Sequence, residues 1–423
     1  MKKLSIKNLV LQIFERVESG FVEVVCPDKT FSFGDPTASL RAMIVVHNEN
    51  FFRRVLFGGE VGFGESYVGG EWSSPDLVAV IRVAVRNLKA LEQYPVLSGL
   101  QRIAGRLQHS RRRNTVEGSR RNISYHYDLG NDFYRLFLGP TMAYSSGYFV
   151  NTGDSLDTAQ AQKFARICQK IRPEVSDHIL EIGTGWGGFC TYLASVYGCR
   201  VTSTTISKQQ YEFASGWVQR AGLSDRIEIR LQDYRELTGH YDHIVSIEMF
   251  EAVGHRNYDR FFGVCDRLLK PHGTMVMQTI TMNEQRYAGY LRDYDFIQKH
   301  VFPGSELASL SGILRSLAKV TDLSLYHAED IGAHYARTLR AWRKDFHGAA
   351  AKLPGLGFDA RFQKLWDYYL AFCEGAFLER HIGDLQIVLT KNHNPRALME
   401  EPREQGVDAI SGQGGKGILS AWN

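Results

Sequence analysis

An α/β chain built on a mainly parallel sheet covered on both faces, with a smaller α+β domain in front of it, is what this sequence predicts. Three observations carry that expectation. From about residue 123 short apolar strands alternate with amphipathic stretches, one of those strands runs into a glycine-rich turn at 183–187, and residues 1 to about 100 lack the alternation. Strand and helix in alternation imply parallel strands joined by crossovers, with ligands at the carboxyl ends of the strands.

The domain at 1–101 opens with "KKLSIKNLVLQIFERVESG", where basic and apolar residues alternate as in an amphipathic helix and no secretory h-region follows. "FVEVVC" and "RAMIVVHN" read as strands, and "SSPDLVAVIRVAVRNLKAL" as a helix with Ser74 as N-cap and Pro75 in the first helical position. Residues 102–122 carry seven arginines against one glutamate, a basic linker drawn to phosphate of lipid or of nucleic acid. The catalytic domain at 123–392 follows, with strands at "HILEIG", "RVTSTTIS", "RIEIRLQD", "YDHIVSIEMF", "GTMVMQTIT" and "DLQIVLTK". The Gly-rich residues 393–423 have no periodicity and predict a flexible tail.

With 44% hydrophobic and 12% aromatic residues, a chain of 423 can bury two cores. Its six cysteines are scattered without CxxC or zinc-like spacing, which predicts neither a disulfide scaffold nor a metal site and fits a reducing cytoplasm. No run reaches the roughly 18 apolar residues of a membrane span. The net charge of +4 is small, and no aromatic and basic interleaving of the single-strand-binding type accompanies the arginines, so nucleic acid is not an expected partner.

"ILEIGTGWGGF" ends a strand with Glu181 and turns through Gly183, Gly185 and Gly187 into a helix whose N-terminus would face a ligand. The spacing G-x-G-x-G-G differs from the dinucleotide fingerprint, and "TTISKQQ" supplies no acid for a ribose, which disfavours NAD. The form E-x-G-x-G-x-G resembles the first motif of class I S-adenosylmethionine-dependent methyltransferases. That resemblance implies a Rossmann-like, mainly parallel seven-stranded sheet, and puts Gln232 and Asp233 of "LQDY" at the adenine.

"YHYDLGNDFYRLFLGPTMAYSSGYF" (125–149), "EMFEAVGHRNYDRFF" (248–262) and "GEVGFGESYVGGEW" (59–72) resemble the cyclopropane-fatty-acid synthase family, which includes the mycolic-acid modifying enzymes, over residues 55 to 390. The resemblance implies S-adenosyl-L-methionine as cofactor, with Tyr127, Tyr144 and Ser145 beside it and Thr205, Ile206 and Gln210 at its ribose and methionine end. It implies as substrate a cis double bond in an acyl chain of a membrane phospholipid, methylated through a carbocation to a cyclopropane, by a cytoplasmic enzyme held peripherally at the inner face of the membrane. Monomer and homodimer both stay open. A carbocation needs a dry, electron-rich pocket, for which Tyr144, Tyr148, Phe250 and Tyr335 are the aromatic candidates. The family's base is a bicarbonate ion, and the resemblance assigns its binding to Glu251 and Tyr335. The chain departs from the pattern in two places, with Ser146 where the better-known synthases have Cys and Gln278 where they have His. Both replacements can still hydrogen-bond an anion, but neither titrates as the usual residue does, which opens an alternative product, a methyl-branched alkene.

Overall fold

The strands form two sheets, seen in a computed structural model that describes residues 5–91 and 129–394. The basic stretch 102–122, Tyr127 and residues 395–423 lie outside the described residues. Two compact units are present, and each is built from separated pieces of chain.

The first unit takes in described residues up to 91 together with 285–303 and 339–382, two segments that lie within the stretch expected to be catalytic. Its sheet has the order β2-β1-β3-β4, with β1 (Phe21–Val25) antiparallel to β2 (Thr30–Gly34) and parallel to β3 (Arg41–Val46), and β4 (Trp72–Ser73) closing the edge. Val22, Val24, Ile44 and Val46 bury one face of it in a core with Phe51, Phe52 and Trp72, and with Phe296, Tyr368 and Ala371 from the later segments. Each such side chain contributes about 1.5–3 kcal/mol when fully buried, so the late segments are structural partners of the early ones. The helix expected after "SSPD" runs Leu77–Arg86, but its cap is Asp76, whose Oδ1 accepts from the Ala79 amide at 2.9 Å; Ser74 Oγ accepts one turn position earlier, from the Asp76 amide. An aspartate at the residue that leaves extended geometry competes better for the free amide than a serine two residues upstream.

The second unit comprises 129–284, 304–338 and 383–394 of the described residues. Its seven-stranded sheet has the order β10-β11-β9-β8-β5-β6-β7. The six expected strands are β5 (His178–Ile182), β6 (Arg200–Thr205), β7 (Ile227–Leu231), β8 (Tyr241–Ile247), β9 (Leu269–Met282) and β11 (Ile382–Lys391). The seventh, β10 (Leu323–Asp330), was not anticipated, because "LSLYHAED" is an exposed edge strand with little apolar signal; it pairs antiparallel to β11. β5 pairs in parallel with β6 on one side and with β8 on the other, and β6–β7 and β8–β9 continue in parallel. The chain therefore winds one way from β5 and the other way from β8. The crevice beyond the carboxyl ends of these two strands is the switch point at which such sheets bind ligands.

Candidate active site

Two chain segments leave the sheet at that switch point. After β5, Gly183 (φ 104), Gly185 (φ 53) and Gly187 (φ 92) all take left-handed backbone angles, a conformation open to glycine and strained for other residues. At Gly183 a Cβ would lie 2.9 Å from the Cβ of Met249, so packing as well as dihedral requires glycine; at Gly185 a Cβ would meet no atom of the described residues within 4 Å. Among those residues the turn keeps open space on one side. The helix Gly188–Tyr197 starts there with no side-chain cap, leaving its first N–H groups for a ligand.

Around this turn the expected cofactor residues divide. Glu181 is buried and accepts from Ser203 Oγ, and burial pushes its carboxyl up to about 8. Thr205 Oγ1 donates to Gln210 Oε1 at 2.9 Å and accepts from the Ser207 amide, which fixes both side chains beside half-buried Ile206. Gln232 donates to the Glu236 carbonyl at 3.2 Å. Asp233, expected at the adenine, is held by Arg235 through Nε at 2.8 Å and a terminal nitrogen at 2.5 Å. Tyr144 lies 5.4 Å from Tyr134 and 6.3 Å from Phe137 between ring centroids, and Tyr134 lies 4.9 Å from Trp186, whose indole donates to Asn131. Tyr134 and Trp186 were not singled out from the sequence, where they read as core aromatics.

After β8 stands the residue that sequence reasoning missed. Glu248, at φ 47, is a non-glycine residue in the left-handed region, where the backbone is strained. Its carboxylate accepts from the Ser146 amide at 2.8 Å, from Gln278 Nε2 at 2.7 Å and from Tyr335 Oη at 2.6 Å. Ser146, Gln278 and Tyr335 therefore converge, as expected, but on Glu248. Glu251 stands to one side, accepting from Thr279 Oγ1 at 2.9 Å and the Ile280 amide at 2.5 Å, with Oε2 buried and without a donor among the described residues. The hydroxyl of Ser146 also differs from expectation: it donates to the Gly147 carbonyl at 3.0 Å, and the backbone amide serves the anion. Two of the proposed cation-facing rings are spoken for as well. Phe250 packs with Tyr258, Phe261 and Phe262, and Tyr148 stacks on His334 at 4.4 Å.

Burial sets the electrostatics. It raises the carboxyl of Glu248 above the usual range against its hydrogen bonds, and raises Glu251 to about 7, helped by the nearby Glu248. Lys163, fully enclosed, is lowered to about 8 by its own burial and donates to Ser145 Oγ at 2.5 Å. That bond ties Ser145, expected at the cofactor, to a buried cation whose charge acts on Glu248, Asp384 and Glu181.

A strained glycine turn at the switch point of such a sheet, opening on an uncapped helix, is the cradle of a class I S-adenosylmethionine-dependent methyltransferase, and the open side of Gly185 fits that cofactor. Within that class the chain belongs to the mycolic acid cyclopropane synthetase family, which matches residues 114–387. It is 36% identical to a tuberculostearic acid methyltransferase of Mycobacterium tuberculosis, over 85% of this chain and 85% of that protein. It is 37% identical to the cyclopropane-fatty-acyl-phospholipid synthase of Escherichia coli, over 84% of this chain and 89% of that one. A solved mycolic acid cyclopropane synthase complexed with SAH and CTAB superposes with a TM-score of 0.60 at 28% identity, covering 64% of this chain and 98% of its own.

Proposed function

We propose that the protein methylates the cis double bond of an unsaturated acyl chain in a membrane phospholipid and closes it to a cyclopropane, with the Glu248 carboxylate, in place of a bound bicarbonate, as proton acceptor. The observation that carries this reading is the convergence of the Ser146 amide, Gln278 and Tyr335 on that one carboxylate.

S-adenosylmethionine, held at the Gly183–Gly187 turn, supplies an electrophilic methyl group. An alkene is a weak nucleophile, and the carbocation it becomes on methylation is trapped by any water present, so the chain's first task is exclusion of water. Tyr144, half-buried against Tyr134 and Phe137, is the aromatic ring left for a desolvated cation, a contribution of about 0.5–2 kcal/mol. The second task is to take a proton from the methylated carbon skeleton. Three neutral donors orient the Glu248 carboxylate, and its raised proton affinity suits it to that step. Activity then requires the ionised carboxylate and falls as pH drops through a value above the ordinary glutamate range.

The methyl-branched alkene is a second reading, favoured by Ser146 and Gln278 in place of Cys and His and by the likeness to a tuberculostearic acid methyltransferase. Both arise from one cation and differ in which carbon loses its proton. Mass spectrometry of lipids made from deuteromethyl-labelled cofactor separates them: a cyclopropane has lost one deuterium of the transferred methyl, a branch has kept every one. Full retention of label would overturn the cyclopropane reading.

Acyl chains must be reached from a bilayer surface, and among the described residues no helix is long and apolar enough to cross a membrane. The reading therefore includes peripheral attachment at the inner face of the membrane, with the arginines of 102–122 on anionic headgroups at about 1 kcal/mol each. Replacing Arg111, Arg112 and Arg113 with Gln should weaken sedimentation with anionic vesicles at low salt, and added salt should erase the difference.

A further inference from the structure

We infer that Asp384 is the second carboxyl of the base, a positioning residue that shares a single proton with Glu248 across the amide of Gln278; this rests on the reading of Glu248 as proton acceptor. Gln278 Nε2 has two hydrogens, and they go to two acids: 2.7 Å to Glu248 Oε1 and 3.0 Å to Asp384 Oδ2. The amide cannot turn over to face them with its oxygen, because Oε1 accepts from Gln386 Nε2 at 3.0 Å, and Gln386 Oε1 in turn accepts from Lys170 Nζ at 2.6 Å. Lys170 is held by Glu329 at 2.6 Å, and Arg166 pairs with the same carboxylate near the surface. A chain of side chains from the surface of the sheet thus locks one orientation of one amide at its centre.

Two carboxylates on one amide in a dry interior cannot both keep a negative charge. Asp384 is completely buried, its Oδ1 accepts from no donor among the described residues, and its carboxyl lies within hydrogen-bond reach of Glu248. Glu248 has three donors where Asp384 has one. The proton of the resting pair therefore sits on Asp384 and the charge on Glu248. The groups around the pair agree with this distribution: Glu251 after β8 adds a further acid, Lys163 is a buried cation whose charge acts on both members, Lys170 is engaged by Glu329, and Asp330 turns to the Gly332 amide. Burial, and after it the neighbouring Glu248, holds the carboxyl of Asp384 well above its usual range. When Glu248 takes a proton from the substrate the pair holds two, and the second leaves to solvent before the next turnover.

The test is the pH profile of kcat/KM on phospholipid vesicles for the full chain and its Asp384→Asn and Asp384→Ser variants. Asp384 already carries its proton when Glu248 is titrated, so replacing it removes no negative charge from the site but removes the hydroxyl that donates to Glu248, and the acid limb should move to higher pH by about one unit, with KM for cofactor unchanged. A merely structural Asp384 would lower activity at every pH and leave the limb in place, and that result in a folded variant overturns the inference. If neither variant folds, the infrared carbonyl band of a protonated carboxyl, followed in the wild-type protein from pH 6 to 9, decides: loss of every such band below neutral pH overturns it. Glu248→Gln is the control for the underlying reading. Normal turnover in that variant would remove the base assignment itself, whereas an inactive Glu248→Gln beside an unmoved limb in Asp384→Asn removes the role of Asp384 alone.

Discussion

Two buried carboxylates in this molecule have opposite fates. In the first unit Asp367, on the helix Ala360–Leu378, accepts from Arg343 at 2.6 Å, His347 at 2.7 Å and Tyr67 at 2.7 Å. Burial would raise its pKa, but the bonds from His347 and Arg343 outweigh it and bring the group down to about 2. Glu248 in the second unit also has three close donors, and burial still wins, because an amide N–H, a glutamine and a phenol carry no charge. The difference teaches that the number of hydrogen bonds does not decide what a buried acid does. Cationic donors fix a permanent anion; neutral donors hold a carboxylate in place while leaving it able to take a proton.

The largest expected effect breaks the comparison on the side of the second unit. Glu248→Gln keeps the shape and removes the acceptor, so turnover should fall by about two to four orders of magnitude, with cofactor affinity by calorimetry unchanged. A fall as deep in Glu251→Gln, with Glu248→Gln active, would return the base to Glu251.

Asp367→Asn tests the other side. It leaves Arg343 and His347 without their anion and should destabilise the protein by about 3 kcal/mol in urea unfolding, with kcat at permissive temperature retained. The sign of its pH dependence follows from a lowered folded-state pKa: the stabilisation is present above the unfolded value of about 4 and is lost as pH falls toward the folded value of about 2. The variant should be flat across that window where the wild type declines.

The smallest effect sharpens the contrast within the second unit. Glu251 has a folded-state pKa raised to about 7, so its contribution is present below the unfolded value and is lost as pH rises through 7. Unfolding of Glu251→Gln should therefore show a gain over wild type of about 2 kcal/mol as pH goes from 5 to 8, and parity of the two at every pH would show that the carboxyl is not buried in the ionised form.

Much of this was legible in the sequence. The strand series and the glycine turn follow from periodicity and motif, since each is a local pattern, whereas the grouping of Ser146, Gln278 and Tyr335 comes only from the resemblance to a family. The carboxylate on which they converge was not legible, because Glu248 and Glu251 stand three residues apart at a strand exit and only the backbone angle decides which one turns into the cluster. Asp384 and Gln386 left a fainter trace: two polar residues at i and i+2 on one face of a strand otherwise read as apolar, "GDLQIVLTK", paired more than a hundred positions away from Gln278. The partnership of 285–303 and 339–382 with the first unit has no local signal at all, since it is a matter of which core those aromatic side chains complete.

The φ of 47 at Glu248 has an evolutionary consequence. An ordinary residue there is strained by about 1–2 kcal/mol, and glycine is not strained. A glycine at 248 would relax the chain, delete the carboxylate and leave a gap rimmed by the Ser146 amide, the Gln278 amide and the Tyr335 hydroxyl, which is the lining of an anion cup. If Glu248 is the base, as proposed, an enzyme that carries its own base and one that takes a bicarbonate ion into that cup are separated by a single residue exchange that the backbone already favours. On that reading, dependence on the carbonate supply of the cell is a trait that one codon can switch.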